Sequence, residues 1–162
     1  MQYTHNSDLN YYKNHPEETN CGSFALRLKE WYLPETDFEK EVGDIEKWIL
    51  TMAKEGYNEV ELSDIYLDAI VTQILKDFEG EIEICDGRAP YTEEKELIAL
   101  STYCFWDYDY SWADWDFHFK VFRDGVWQEK HGDMKVEECD LEEWDRYIGD
   151  IIYFYHRIKK EN

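Results

Sequence analysis

An Asp124-Gly125 pair separates two runs of alternating residues, 117–123 and 126–130, and no other feature restricts the fold of this chain so sharply. Asp-Gly supplies the left-handed backbone that a two-residue β-turn needs, so a hairpin is predicted here. A turn of that length also dictates register. Arg123 then opposes Val126, Phe122 opposes Trp127, Lys120 opposes Glu129 and His118 opposes His131. The two histidines share one face of the hairpin, with Glu129 diagonal to His118 and β-carbons about 5 to 8 Å apart.

The flanking sequence places this hairpin in an α+β domain. Residues 1–19 are polar, lack periodicity and are expected to form an extended arm. Asn20 is a favoured cap residue, and Phe24, Leu28 and Trp31 recur at helical spacing, so a first helix is predicted over 21–32, ended by Pro34. Ile45, Trp48, Ile49 and Met52 follow Asp44 and predict a second, stopping at Gly56. A third, capped by Ser63 or Asp64, carries Ile65, Tyr66, Ala69, Ile70 and Ile74 and ends near Gly80. Beyond it β-branched and aromatic residues predict strands at 81–85 and 97–106, then the hairpin, a short helix over 140–147 and a last strand at 151–158. No repeat or flexible linker interrupts the pattern, so residues 1–162 are expected to form a single domain with N-terminal helices packed on an antiparallel sheet.

The 38 acidic residues outnumber 17 basic ones, leaving a formal charge of −21 spread along the chain. Such a surface disfavours direct nucleic-acid binding and anionic membranes, and it attracts a basic protein partner. No apolar run approaches the roughly 20 residues that cross a bilayer, and no leader-like segment opens the sequence, so a cytoplasmic location is expected. Cys21, Cys85, Cys104 and Cys139 are widely separated and no histidine stands at zinc-ligand spacing, so neither disulfides, nor a metal, nor another cofactor is expected.

Chemistry is concentrated in two places. Asn20-Cys21-Gly22-Ser23 puts a thiol in the first turn of a helix, where unpaired amides and the helix dipole favour a thiolate and can hold an oxyanion. A cysteine nucleophile needs a base held by a third group, and the hairpin offers His118 with either His131 or Glu129. Ordinary structural readings stand beside these: Cys21 as a buried apolar filler, Glu129 in a surface ion pair with Lys120, and His131 simply solvated. The aromatic and acidic stretch 106–115 can either frame a pocket for a cationic group or cap the core.

Cysteine on a helix, histidine at the start of a strand and a polar residue on the next strand is an order that resembles papain-like cysteine peptidases. Cys21-Gly22-Ser23 followed by an aromatic is similar to their nucleophile motif, and a histidine as third member is similar to NlpC-type cell-wall peptidases. The run Asp116-Phe117-His118-Phe119, with Gly125, Trp127, Lys130 and Gly132, also resembles uncharacterised phage and toxin-associated proteins, although Glu129 stands where their second histidine falls. The resemblance implies a papain-like fold and a hydrolase of amide or thioester bonds in a peptide or protein substrate. Cys21 would be the nucleophile, His118 the base, and His131 or Glu129 the orienting group. Such enzymes complete their oxyanion hole with a side chain ahead of the cysteine, usually glutamine, and here only His15 or Asn20 is available. The charge supports a second class, an acidic phage-encoded inhibitor that mimics nucleic acid and blocks a basic host defence protein without catalysis. A third reading is an inactive papain-like scaffold kept for binding.

Overall fold

The computed structural model describes residues 3–90 and 92–158, and within them five α-helices, one 3-10 turn and six strands. Helices α1 (Asn10–Asn14), α2 (Cys21–Leu26), α3 (Asp37–Val42), α4 (Ile45–Lys54) and α5 (Glu59–Asp77) come first. Strands β1 (Ile82–Cys85), β2 (Lys95–Trp106), β3 (Ala113–Arg123), β4 (Val126–Lys130), β5 (Val136–Glu138) and β6 (Ile152–Arg157) follow. They form one antiparallel sheet in the order β1-β6-β2-β3-β4-β5, so the architecture is α+β. No described helix is long and apolar enough to cross a membrane.

The hairpin has the register that its turn dictates. Asp124 and Gly125 both adopt positive φ, 55° and 80°, and the ladder runs from Arg123–Val126 to Lys120–Glu129. Alternation along β3 sends Phe117, Phe119 and Val121 into the core with Ile98 and Leu100 of β2 and Leu62, Ile70 and Ile74 of α5. His118 and Lys120 therefore project from the other face of the sheet.

Tertiary contacts override local pattern at several points. The arm is not wholly extended: α1 forms within it because the fully buried Tyr12 ring packs there, its hydroxyl 3.1 Å from the Ser23 carbonyl and 3.0 Å from that of Leu28. Residues 1–2 lie outside the described residues. Helix α2 stops at Leu26, well short of residue 32, because Arg27 turns left-handed (φ 56°) to deliver its guanidinium to Glu96. Helix α5 starts at Glu59 through a capping box between Asn58 and Glu61, several residues ahead of Ser63, whose hydroxyl instead accepts from the Cys104 amide. Segment 140–147 forms turns instead of a helix, since the Lys120 ammonium takes the Asp140 and Glu143 carbonyls that a helix would use. The short elements α3 and β5 have no counterpart in the sequence reading; the Thr36 hydroxyl caps α3 by accepting from the Glu39 amide.

A buried ion network fastens helix to sheet. Glu96 on β2 accepts from Arg27 at 2.8 and 3.0 Å and from Arg123 at 2.6 and 2.8 Å. Burial would raise the Glu96 carboxyl, but the two guanidinium groups outweigh it and hold it at about 2. On β6, burial pushes His156 down to about 4, so the imidazole is neutral in the folded protein.

Stability is therefore expected to decline with acid in two stages. His156 takes its proton more readily when unfolded, so stability falls as pH drops from 6.5 towards about 4. The Glu96 contribution is complete above the ordinary carboxyl value of 4.5 and is lost as pH falls to about 2. Urea denaturation across this range reads both stages, and His156→Phe should shrink the upper one. Glu96→Gln should cost about 3 to 5 kcal/mol at neutral pH, because two buried guanidinium groups lose their counter-charge.

Candidate active site

Helix α2 is held at both ends. Asn20 caps its start, accepting from the Ser23 amide at 2.9 Å, while the Asn20 amide group donates to the Tyr32 carbonyl at 2.8 Å. The buried Lys130 ammonium donates to the Pro16 carbonyl at 2.6 Å and to the Thr19 and Gly132 carbonyls, clasping the segment that leads into Cys21. At the other end Arg123 donates to the Phe24 and Ala25 carbonyls at 3.1 and 3.4 Å. The lysine and glycine of the hairpin motif thus position the helix that carries the cysteine.

That placement brings the Cys21 sulfur against the edge of β3, beyond the last β3–β4 pair. The thiol donates to the Phe117 carbonyl at 3.9 Å, and the amides of Phe119 and Gly22 also engage the sulfur. Phe117 and Phe119 flank His118 in sequence, so the thiol touches the backbone on both sides of it. Cys21 is only 6% exposed, and burial pushes its thiol up to about 12 against the pull of the Phe119 and Gly22 amides and the Lys130 charge. The thiolate expected of a helix start is therefore absent at neutral pH. Desolvation exceeds what the dipole and the amides return.

His118, Glu129 and His131 come together as the hairpin register requires. His118 Nε2 lies 2.9 Å from Glu129 Oε2, and His131 Nε2 lies 2.9 Å from Glu129 Oε1, so one carboxylate bridges both rings. The imidazoles stack at 4.6 Å between centroids, 7° from parallel. Tyr147 stacks on His118 at 5.0 Å, and Trp144 meets it edge-on at 6.1 Å. Burial works to raise Glu129, yet His118 and His131 hold it at about 2; burial lowers His118. A neutral imidazole beside an ionised carboxylate carries its proton on Nε2, which leaves Nδ1 as the basic nitrogen.

Glu129 is not part of a surface ion pair. The Lys120 ammonium, 3.9 Å from it, is buried, donates to the Asp140 and Glu143 carbonyls and sits 4.5 Å over the Trp144 ring. Burial and the Glu129 charge push the nearby Cys139 thiol up to about 12. Trp144, Tyr147, Lys120 and Cys139 were not legible as site residues; only the aromatic character of 144 and 147 gave any signal. Trp144 and Tyr147, with Glu142, Glu143, Asp145, Glu129 and the two histidines, surround a cleft of about 600 Å³.

The two expected oxyanion donors are engaged in other contacts. Asn20 is committed to the α2 cap and to Tyr32, and His15 stacks on Tyr11 at 4.1 Å with Nδ1 3.1 Å from the Tyr11 carbonyl. The aromatic and acidic loop does not line the cleft either. Asp107 folds it back by accepting from the Ser111 and Trp112 amides at 2.7 and 3.1 Å, leaving Tyr108 almost fully exposed.

No family model, curated protein or solved structure matches this chain.

The bridging carboxylate should dominate local stability. Glu129→Ala is expected to cost about 3 to 5 kcal/mol, since it strands the buried Lys120 and His118. His131→Ala, with a half-exposed ring, should cost under about 1 kcal/mol. Urea unfolding midpoints compare the two; equal effects would mean that Glu129 is not the hub.

Proposed function

We propose that the chain is a cysteine hydrolase of papain-like type that cleaves an amide or thioester bond in a peptide or protein. The single observation that carries the reading is the orientation of His118. Its Nε2 is bonded to Glu129 on the neighbouring strand, which leaves Nδ1 outside that bond, and the Cys21 thiol donates to the carbonyl of Phe117, the residue before His118. Helix with cysteine, strand with histidine and next strand with an orienting carboxylate is also the chain order of the papain-like arrangement.

The chemistry follows from the resting protonation states. Cys21 starts as a neutral thiol and transfers its proton to His118 Nδ1 as the sulfur attacks the substrate carbonyl carbon. Glu129, accepting from Nε2–H, stabilises the imidazolium that forms. Backbone amides at the start of α2 are the donors available to the tetrahedral oxyanion. Its collapse expels the amine or thiol leaving group with the proton from Nδ1, giving an acyl-thioester on Cys21. Water, deprotonated by His118, hydrolyses that ester and restores the thiol. Because Cys21 is sealed in the core and His118 projects from the other face of the sheet, the thiol and the imidazole must be brought together, and the side chains over Cys21 must part, before this chemistry begins.

The sealed thiol and the charge of −21 favour a second reading, a phage-encoded acidic protein that binds a basic host defence protein without catalysis. One experiment separates the two. An electrophilic amide or thioester probe should label Cys21 in the wild type, at least about 100-fold more slowly in His118→Ala and more slowly in Glu129→Gln. Labelling confined to Cys85 and Cys139, together with salt-sensitive binding to a basic protein that survives Cys21→Ala, would establish the binding reading instead.

A further inference from the structure

We propose that His118, His131 and Glu129 form a binding site for a divalent transition metal of the zinc class, opening on the cleft. Two imidazoles and one carboxylate offer ligand atoms that all lie within 4.8 Å of one another. Two neighbours add donors. Glu137 Oε1 is 3.6 Å from His131 Nε2, and the Cys139 thiol stands near enough to Glu129 to feel its charge. Two imidazole nitrogens beside carboxylate oxygens suit zinc or cobalt over magnesium or calcium, which prefer all-oxygen shells.

Metal–nitrogen bonds of about 2.0 to 2.1 Å set tetrahedral ligand atoms roughly 3.3 Å apart, within the 4.8 Å that the donor atoms span, so the near-parallel rings must tilt to aim both at one centre. His131 can supply that movement. Its side chain is 43% exposed and lies just beyond the end of β4. His118 is fixed, buried at the centre of β3 between its stacking partners. The Lys120 charge lies 3.9 Å from Glu129, and its ammonium already donates to two carbonyls.

Coordination has a consequence for the proton on His118. A metal on Nε2 displaces that proton, and the neutral imidazole then carries its hydrogen on Nδ1. Nδ1 is thereby no longer an acceptor. In so far as the hydrolase reading holds, an occupied site is a silenced one, while the site itself requires no reactive cysteine.

The test uses the whole chain in a Cys21→Ala background, titrated with Co²⁺ and followed by visible ligand-field absorption, then with Zn²⁺ as competitor. One Co²⁺ per chain, displaced by Zn²⁺ but not by equal Mg²⁺, and weakened at least about 10-fold by His131→Ala, is the expected result. Several weak equivalents unaffected by His131→Ala would mean diffuse attraction to the acidic surface and would overturn the proposal. In the chain with Cys21 intact, Zn²⁺ should slow probe labelling of Cys21, and His131→Ala should relieve that effect. A failure of labelling alone, with the cobalt titration intact, would count against the hydrolase and leave the metal site standing.

Discussion

The carboxylate of Glu96, buried between Arg27 and Arg123, is the interaction on which the arrangement of the molecule rests. Arg27 ends α2, Glu96 belongs to β2 and Arg123 closes β3 at the hairpin turn, so one charge cluster joins three elements that are remote in sequence. Arg123 also binds the last carbonyls of α2 and lies over the Phe24 ring at 4.7 Å. The position of Cys21 along β3 is a consequence of that anchoring. A helix of six residues has little stability of its own, and its place is set by what grips its ends.

Lys130 completes the grip from the opposite side, and it explains part of the hairpin motif. Its ammonium donates to backbone carbonyls on both the segment before α2 and the loop after β4. Burial lowers its pKa, and three carbonyl partners compensate for lost water. A motif that looks catalytic from its neighbours thus includes a residue whose work is mechanical.

Much of the pairing was legible because a two-residue turn leaves no freedom in register. Asp124-Gly125 placed Glu129 opposite Lys120 and beside both histidines, and alternation put all of them on one face. The state of Cys21 was not legible, since helix-start chemistry is local whereas desolvation depends on chain that arrives from elsewhere. Segment 140–147 failed for the same reason: its pattern is helical, but Lys120 claims its carbonyls. Tyr147 and Trp144 could not be assigned to the histidines until that segment had been laid across the sheet. The proposed metal ligands carry no linear zinc-ligand spacing, although the hairpin register places them on one face.

The sulfur of Cys21 occupies a place in the sheet that a backbone group would otherwise fill. Where β4 ceases to pair, the Phe117 carbonyl and the Phe119 amide turn to a side chain, so the thiol acts as a keystone in the β3 edge. Any movement that frees this atom leaves two interior peptide groups searching for partners, and water or an incoming main chain is the natural replacement.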